Sequence, residues 1–194
     1  MTKIIGLTGG IGSGKTTIAN HFKKVNIPVY IADDEARKIM QAEEIIDAIR
    51  KTFGDSIFDA ALLNRQKLSQ IVFNDPEKLK LLNAIIHPAV KKHFQDWVLN
   101  HKNAPFIIYE AAILFESGSY KNCDLIITVT APLESRIQRV IERDNATREQ
   151  VLKRMNAQWN DDQRIAKSDF VIENVNPKTT KTEIDKILKI LKIQ

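Results

Sequence analysis

A chain of 194 residues, 43% hydrophobic and 27% charged, has the balance of a soluble globular protein and suits one α/β domain with a modest insertion, able to bury a core without staples. Its net charge of +5 is compatible with anionic small molecules, but the bases alternate with acids along helices and no aromatic-and-basic module accompanies them, so no nucleic-acid partner is expected. No apolar run approaches the roughly 18 residues of a membrane span, no targeting segment is read ahead of the first strand, and the lone Cys123 has no internal partner, so a cytoplasmic protein without membrane association is expected.

Lys3 to Thr8, with its apolar run Ile4 to Leu7, reads as a strand, and Gly9-Gly-Ile-Gly-Ser-Gly-Lys-Thr16 follows it directly, matching G-x-x-x-x-G-K-[ST]. A helix expected from about Gly14 to Lys24 then carries Ile18, Ala19 and Phe22 as its inner stripe. Strand, glycine turn and helix N-terminus in that order make a phosphate cradle, because the terminal amides and the positive end of the helix dipole face the anion. The glycines let the backbone curl where a Cβ would clash. Gly10, Ile11, Gly12, Ser13, Gly14, Lys15, Thr16 and Thr17 are therefore the candidate triphosphate site, with Lys15 reaching the β and γ phosphates and the Thr16 hydroxyl ligating Mg²⁺. A dinucleotide fingerprint G-x-G-x-x-G fails in both registers, since it would need glycine at Lys15 or at Thr17.

Ile27 to Ile31 reads as a second strand, and the next good strand is Phe106 to Tyr109. The roughly 75 residues between them far exceed an ordinary connection and show no convincing strand. Their pattern is helical over Asp34 to Met40, Ile45 to Phe53, Arg65 to Phe73, Glu77 to Ile86 and Ala89 to Leu99, with a break expected at His87-Pro88. An insertion of this size reads as a helical cap over an active site. Asp124 to Thr130 has the unbroken apolar or β-branched character of a buried strand, and Leu133 to Glu142 is the helix after Pro132. Thr147 and Gln150 form a capping-box pair. Asp169 to Ile172 is a fifth strand, and Thr182 to Leu191 a closing helix with Ile184, Ile187, Leu188 and Leu191 on one face. The fold class expected is α/β: a P-loop parallel sheet of about five strands flanked by helices, with a helical substrate-binding insertion and a short lid. The expected organisation is a core of about 1–33 and 104–194, an insertion of about 34–103 and a lid of about 134–158.

The chemistry is narrowed by what is missing and by what comes late. The guanine-reading Asn-Lys-x-Asp of GTPase switches is absent, and the third strand ends in the single carboxylate Glu110 rather than the acidic pair of motor ATPases. Arg136, Arg139 and Arg143 share a helix face, with Arg148 beyond them, either as a solvated basic face or as the lid arginines of a nucleoside or nucleotide kinase. Asp33 and Asp34 follow the second strand, where one functional carboxylate and one helix cap are expected without spacing alone deciding which is which.

Six short segments in order then resemble the dephospho-coenzyme A kinase family, nearly end to end: Ile5 to Thr16; Ala32-Asp33 with Ala36-Arg37; Ile85-Ile86-His87-Pro88; Leu114-Phe115-Glu116; Gln138-Arg139 with Arg143-Asp144, Arg154 and Gln158; and Ser168-Asp169 with Val171-Ile172 and Asn174. The resemblance implies transfer of the γ-phosphoryl group of ATP to the ribose 3′-hydroxyl of dephospho-CoA. It implies Asp33 as general base, Lys15 and Thr16 on ATP and Mg²⁺, Arg139 and Arg143 in the lid, Asn174 beside the adenine, and His87-Pro88 on the dephospho-CoA side. Two departures stand out. The family's Asp-Ala-Asp after the second strand begins here with Ile31, and its later aspartate before the Leu-Phe-Glu segment is Glu110, whose extra methylene shifts the oxygens it offers a metal shell. A broader nucleotide kinase, or a P-loop module gating a partner, would share the loop but not the acceptor. The partners expected are ATP and dephospho-CoA, for a monomer or a small homo-oligomer.

Overall fold

The computed structural model describes residues 2–60, 62–73 and 75–193. In chain order the elements are β1 (Lys3–Thr8), α1 (Lys15–Lys24), β2 (Val29–Ile31), α2 (Ala32–Ile39), α3 (Glu43–Phe53), β3 (Phe58–Asp59), β4 (Leu62–Leu63), α4 (Arg65–Phe73), α5 (Pro76–Asn100), β5 (Phe106–Glu110), β6 (Leu125–Thr130), α6 (Leu133–Asp144), α7 (Arg148–Asn156), α8 (Asp161–Ile165), β7 (Phe170–Glu173) and α9 (Pro177–Ile193). They divide between two compact units, residues 1–31 with 101–194, and residues 32–100.

The first unit is a five-stranded parallel sheet in the order β2-β5-β1-β6-β7, so the N-terminal strand is its centre. Side chains alternate across β1 as strand geometry requires. Ile5 and Leu7 join Ile18, Ala19 and Phe22 of α1 and Ile184, Ile187, Leu188 and Leu191 of α9 in one buried cluster, together with Phe106, Ile108, Ile127, Val129 and Ile172. The other face of β1 is closed in a different way at Gly6, where a Cβ would lie 2.8 Å from Leu114 Cδ2 and 3.0 Å from Cys123 Sγ. Burial there pushes the Cys123 thiol up to about 12, so it stays protonated and packs as a small apolar group.

The second unit gathers α2 to α5 around Ile39, Ile45, Ile49, Ile57, Phe58, Leu68, Val72 and Leu82. Two expectations are corrected here. The stretch read as strand-free contains the short antiparallel pair β3–β4, Phe58 opposite Leu63 and Asp59 opposite Leu62. A four-residue ladder shows no alternation long enough to register as a strand. The break at His87-Pro88 does not occur either, because α5 runs unbroken through Pro88. Leu82, Ile85, Ile86, Ala89 and Val90 pack on the cluster from both sides of that point. Pro88 and Ala84, whose carbonyl would have received the missing amide, are both exposed, so water can take that bond. In the first unit the closing helix begins at Pro177 rather than Thr182, and α8 adds a helix with its own capping box, Asn160 with Gln163. The Thr147–Gln150 capping box forms as expected.

Phe22 is fully buried between α1 and the sheet. Phe22→Ala should cost about 3–5 kcal/mol in urea unfolding; a loss within a few tenths would place the side chain outside the core.

Candidate functional site

β1 ends in the middle of the sheet at Thr8, and the chain has six residues in which to turn and enter α1 at Lys15. Gly12 and Gly14 make the turn possible. Their φ values are 79° and 94°, in the left-handed region, and a Cβ on Gly12 would strike the Arg136 carbonyl while one on Gly14 would strike the Asn174 side-chain amide. The turn closes through Ser13 N–H donating to the Gly10 carbonyl at 3.1 Å. Lys15 curls back so that Nζ donates to the Gly9 carbonyl at 2.8 Å.

Three successive carbonyls of this loop are each held by a side chain from late in the sequence. Arg136 Nε donates to Ile11 O at 3.0 Å, Arg139 Nη1 to Gly12 O at 3.3 Å, and Asn174 Nδ2 to Ser13 O at 2.8 Å. In a trans peptide the N–H points opposite to the carbonyl of the same unit. Fastening the Ile11 and Ser13 carbonyls therefore sets the Gly12 and Gly14 amides on the opposite side, next to the Lys15 and Thr16 amides that a helix start leaves without intrahelical partners. The result is a concentration of N–H dipoles at the positive end of α1, which suits a polyphosphate.

The holding residues are themselves held. Arg139 Nη2 donates to Asn174 O at 3.0 Å, and Asn174 Oδ1 accepts from Thr180 Oγ1 at 3.2 Å. Arg136 is buried and pairs with Asp161 at 2.8 Å. Arg164, fully buried, lies 3.6 Å from Asp161 and 3.1 Å from Glu116, and donates to the Trp159 carbonyl. Burial, with the neighbouring Arg136, holds the Arg164 pKa below the usual arginine value against the pull of Glu116 and Asp161, and the guanidinium still stays charged at neutral pH. Glu116 also accepts the Trp159 amide at 2.9 Å, and the Trp159 ring stacks on Phe115 at 5.4 Å between centroids.

Glu110 ends β5 one rung from the loop, opposite Leu7 of β1 and Ile31 of β2, and is buried. Arg143 lies one turn beyond Arg139 on α6, where its Nε and Nη2 grip Asp144 at 2.7 and 3.1 Å; Arg154 reaches the same carboxylate at 2.7 Å. Arg148 is engaged elsewhere, in a fork on Glu134 with both contacts at 2.7 Å. The sequence reading of one basic face thus separates into two roles: Arg136 and Arg139 turn inward to the loop, while Arg143 and Arg148 make exposed ion pairs. Asp33, His87 and Pro88 belong to the second unit. Asp33 is exposed in the first turn of α2, two residues after β2 ends, and His87 and Pro88 are exposed on α5. Asp34 is not the helix cap, because α2 already begins at Ala32; its carboxylate accepts from Arg37 at 3.1 Å instead. Among the described residues no group of three or more His, Cys, Asp or Glu is arranged to hold a metal, and no helix is long and apolar enough to cross a membrane. Sequence reasoning did not assign site roles to Gln158, Asp161 or Arg164, because Gln158 meets a loop amide 147 residues earlier and the other two join it through Arg136 and Glu116, contacts that local spacing does not signal.

A parallel sheet whose central first strand delivers this loop to a helix N-terminus defines the class: a P-loop nucleotide-binding fold. The family model described as dephospho-CoA kinase matches residues 3–179. A relative named dephospho-CoA kinase from Fusobacterium nucleatum is 41% identical over 172 residues, covering 88% of this chain and 89% of its own. A solved structure from Thermus thermophilus superposes with a TM-score of 0.90 at 32% identity, covering 97% of each chain. Dephospho-CoA kinase from Campylobacter jejuni superposes at 0.72 with 26% identity, covering 99% of this chain and 98% of its own. The chain belongs to the dephospho-CoA kinase family.

Arg143 and Arg154 hold the Asp144 carboxyl well below the ordinary aspartate value of 3.8, at about 2, the Arg143 hydrogen bonds contributing most. The folded state thus favours the carboxylate, so the stabilisation is complete above 3.8 and is lost as pH falls through about 2. A carboxyl NMR titration should give that midpoint, and Arg143→Met should raise it; an unmoved midpoint would contradict the pairing.

Proposed function

We propose that this chain transfers the γ-phosphoryl group of ATP to the ribose 3′-hydroxyl of dephospho-CoA, the last step of coenzyme A synthesis. The observation that carries the reading is the family match over residues 3–179, which spans both the phosphate loop and the helical insertion. ATP lies with its phosphates in the loop Gly10-Ile11-Gly12-Ser13-Gly14-Lys15-Thr16-Thr17, Lys15 swinging from the Gly9 carbonyl to the β and γ phosphates. Asn174, hydrogen-bonded to the Ser13 carbonyl, borders the adenine. Arg139 and Arg143 serve the lid of residues 134–158, and His87-Pro88 in the insertion of residues 34–103 lie on the dephospho-CoA side.

In the chemical step Asp33 accepts the proton of the 3′-hydroxyl as its oxygen bonds to the γ-phosphorus, and the bond to the departing ADP oxygen breaks. The position of Asp33 supports this role, since the carboxyl ends of parallel strands face the ligand crevice in such sheets and Asp33 follows β2 by two residues. The donors present fit Mg²⁺: the Thr16 hydroxyl and the buried Glu110 carboxylate are hard oxygen ligands, too few to hold the ion alone, which is the usual arrangement when substrate phosphates complete the shell. Bound there, Mg²⁺ would supply neutralisation of the β and γ phosphate charge. The expected setting is the cytoplasm, with the enzyme a monomer or small homo-oligomer and neither nucleic acid nor membrane among its partners.

Asp33→Asn should lower kcat by roughly 10²–10⁴ while leaving ATP affinity nearly unchanged, because a transition-state role is lost and not a ground-state contact. Steady-state kinetics beside ATP titration decide this; equal loss of binding and turnover, or no loss of either, would remove Asp33 from the base role.

A further inference from the structure

The Ile11 peptide is fastened at both ends. Its carbonyl accepts from Arg136 Nε at 3.0 Å, and its N–H donates to Gln158 Oε1 at 3.1 Å. The Gly10 carbonyl, on the same peptide unit as that N–H, closes the loop's internal turn by accepting from Ser13. Gln158 comes from the short connection between α7 and α8, which is itself anchored. The next residue, Trp159, gives its amide to Glu116, stacks its ring on Phe115, and offers its carbonyl to the buried Arg164. Asn160 then caps α8, whose first residue Asp161 holds Arg136. The connection and Arg136 therefore share one ionic network built on the buried Arg136 and Arg164, and each grips one side of the same loop residue.

We infer that Gln158 is a positioning residue for the phosphate loop: together with Arg136 it holds the peptides flanking Ile11 in the orientation that presents the loop amides to ATP. The inference rests on Gly9–Thr16 being the ATP phosphate site. Without the Gln158 acceptor the Ile11 amide loses its partner, and the peptide between Gly10 and Ile11 can rotate about its flanking φ and ψ angles. Rotation would open the Gly10–Ser13 turn and swing a carbonyl dipole toward a region that suits anions, raising the free energy of the ATP complex. Arg136 contributes in a second way, since its guanidinium occupies the space a Cβ on Gly10 would need and so backs the loop from behind. Gln158 touches no reacting atom; it acts through the loop.

The test compares wild type, Gln158→Met and Lys15→Met. Gln158 is half-buried in a connecting segment, so a methionine of similar length leaves the sheet core intact. Calorimetric titration with ADP should show roughly tenfold weaker binding for Gln158→Met, the size of one lost hydrogen bond at an ordered site. The KM for ATP should rise with it while the KM for dephospho-CoA stays put, and by NMR the Ile11 amide should exchange with solvent faster while the Val129 amide in β6 stays protected. Wild-type ADP affinity in Gln158→Met with affinity lost in Lys15→Met would overturn the inference and leave the loop as the phosphate site. Unchanged affinity in both variants would overturn the two readings together. Parallel rises in both KM values with faster exchange across the sheet would reduce Gln158 to a general packing residue and also overturn the inference.

Discussion

Six residues between Thr8 and Lys15 must reverse the chain and still leave their amides available to an anion, and much of the first unit follows from that constraint. The loop's own groups take the Gly9 and Gly10 carbonyls, through Lys15 and the Ser13 amide, and the next three carbonyls are met from outside it. The structure does this by bringing Arg136, Arg139 and Asn174 to the Ile11, Gly12 and Ser13 carbonyls. Those side chains must come from segments lying next to the carboxyl end of β1. That is met when β1 is central, β6 and β7 are its neighbours on one side, and the chain leaving each of those strands turns over the loop. α6 leaves β6 and supplies the arginines; the turn after β7 supplies Asn174.

Buried charge is costly unless it is paired and hydrogen-bonded. Glu116, Arg164, Asp161 and Arg136 keep their charges next to one another in a chain that ends on the loop carbonyl of Ile11. Replacing such a set with apolar residues of similar volume can be neutral for stability, so its presence is better understood through what it orients than through what it stabilises. It orients the backbone of the glycine loop. The exposed pairs, Arg143 with Asp144 at the end of α6 and Arg148 of α7 with Glu134 in the first turn of α6, are of a different kind. Solvent and salt screen them, and their partners can be exchanged at little cost.

How much of this was legible in the sequence depended on range. The loop, β1, the inner stripe of α1 and the Thr147–Gln150 capping box are local patterns, and the structure shows each of them. β6 was legible because a strand buried on both faces is apolar throughout. Where packing overrode local signals, the reading failed: Pro88 signalled a break, yet the apolar residues on both sides of it hold α5 together. The β3–β4 pair was hidden because two rungs of ladder leave no periodicity. In the candidate site, the arginines on α6 were visible as a face, but their division into inward and exposed pairs depends on Asp161, Asn174 and the loop carbonyls, all brought in by tertiary structure. Gln158 falls in a family-like segment, but no local pattern shows its role, since its partner is a backbone amide near the other end of the chain.

A loop shaped for phosphates is common to many P-loop proteins, whereas the acceptor distinguishes this family. The most direct measurement is phosphoryl transfer from ATP in the presence of Mg²⁺ to dephospho-CoA, with AMP, adenosine and shikimate as parallel acceptors and the product identified by mass and by the position of the new phosphate. The account predicts one phosphate added to dephospho-CoA at the ribose 3′-oxygen and no product from the other three. Transfer to AMP, adenosine or shikimate in place of dephospho-CoA, or ATP binding without transfer to any acceptor, would contradict it.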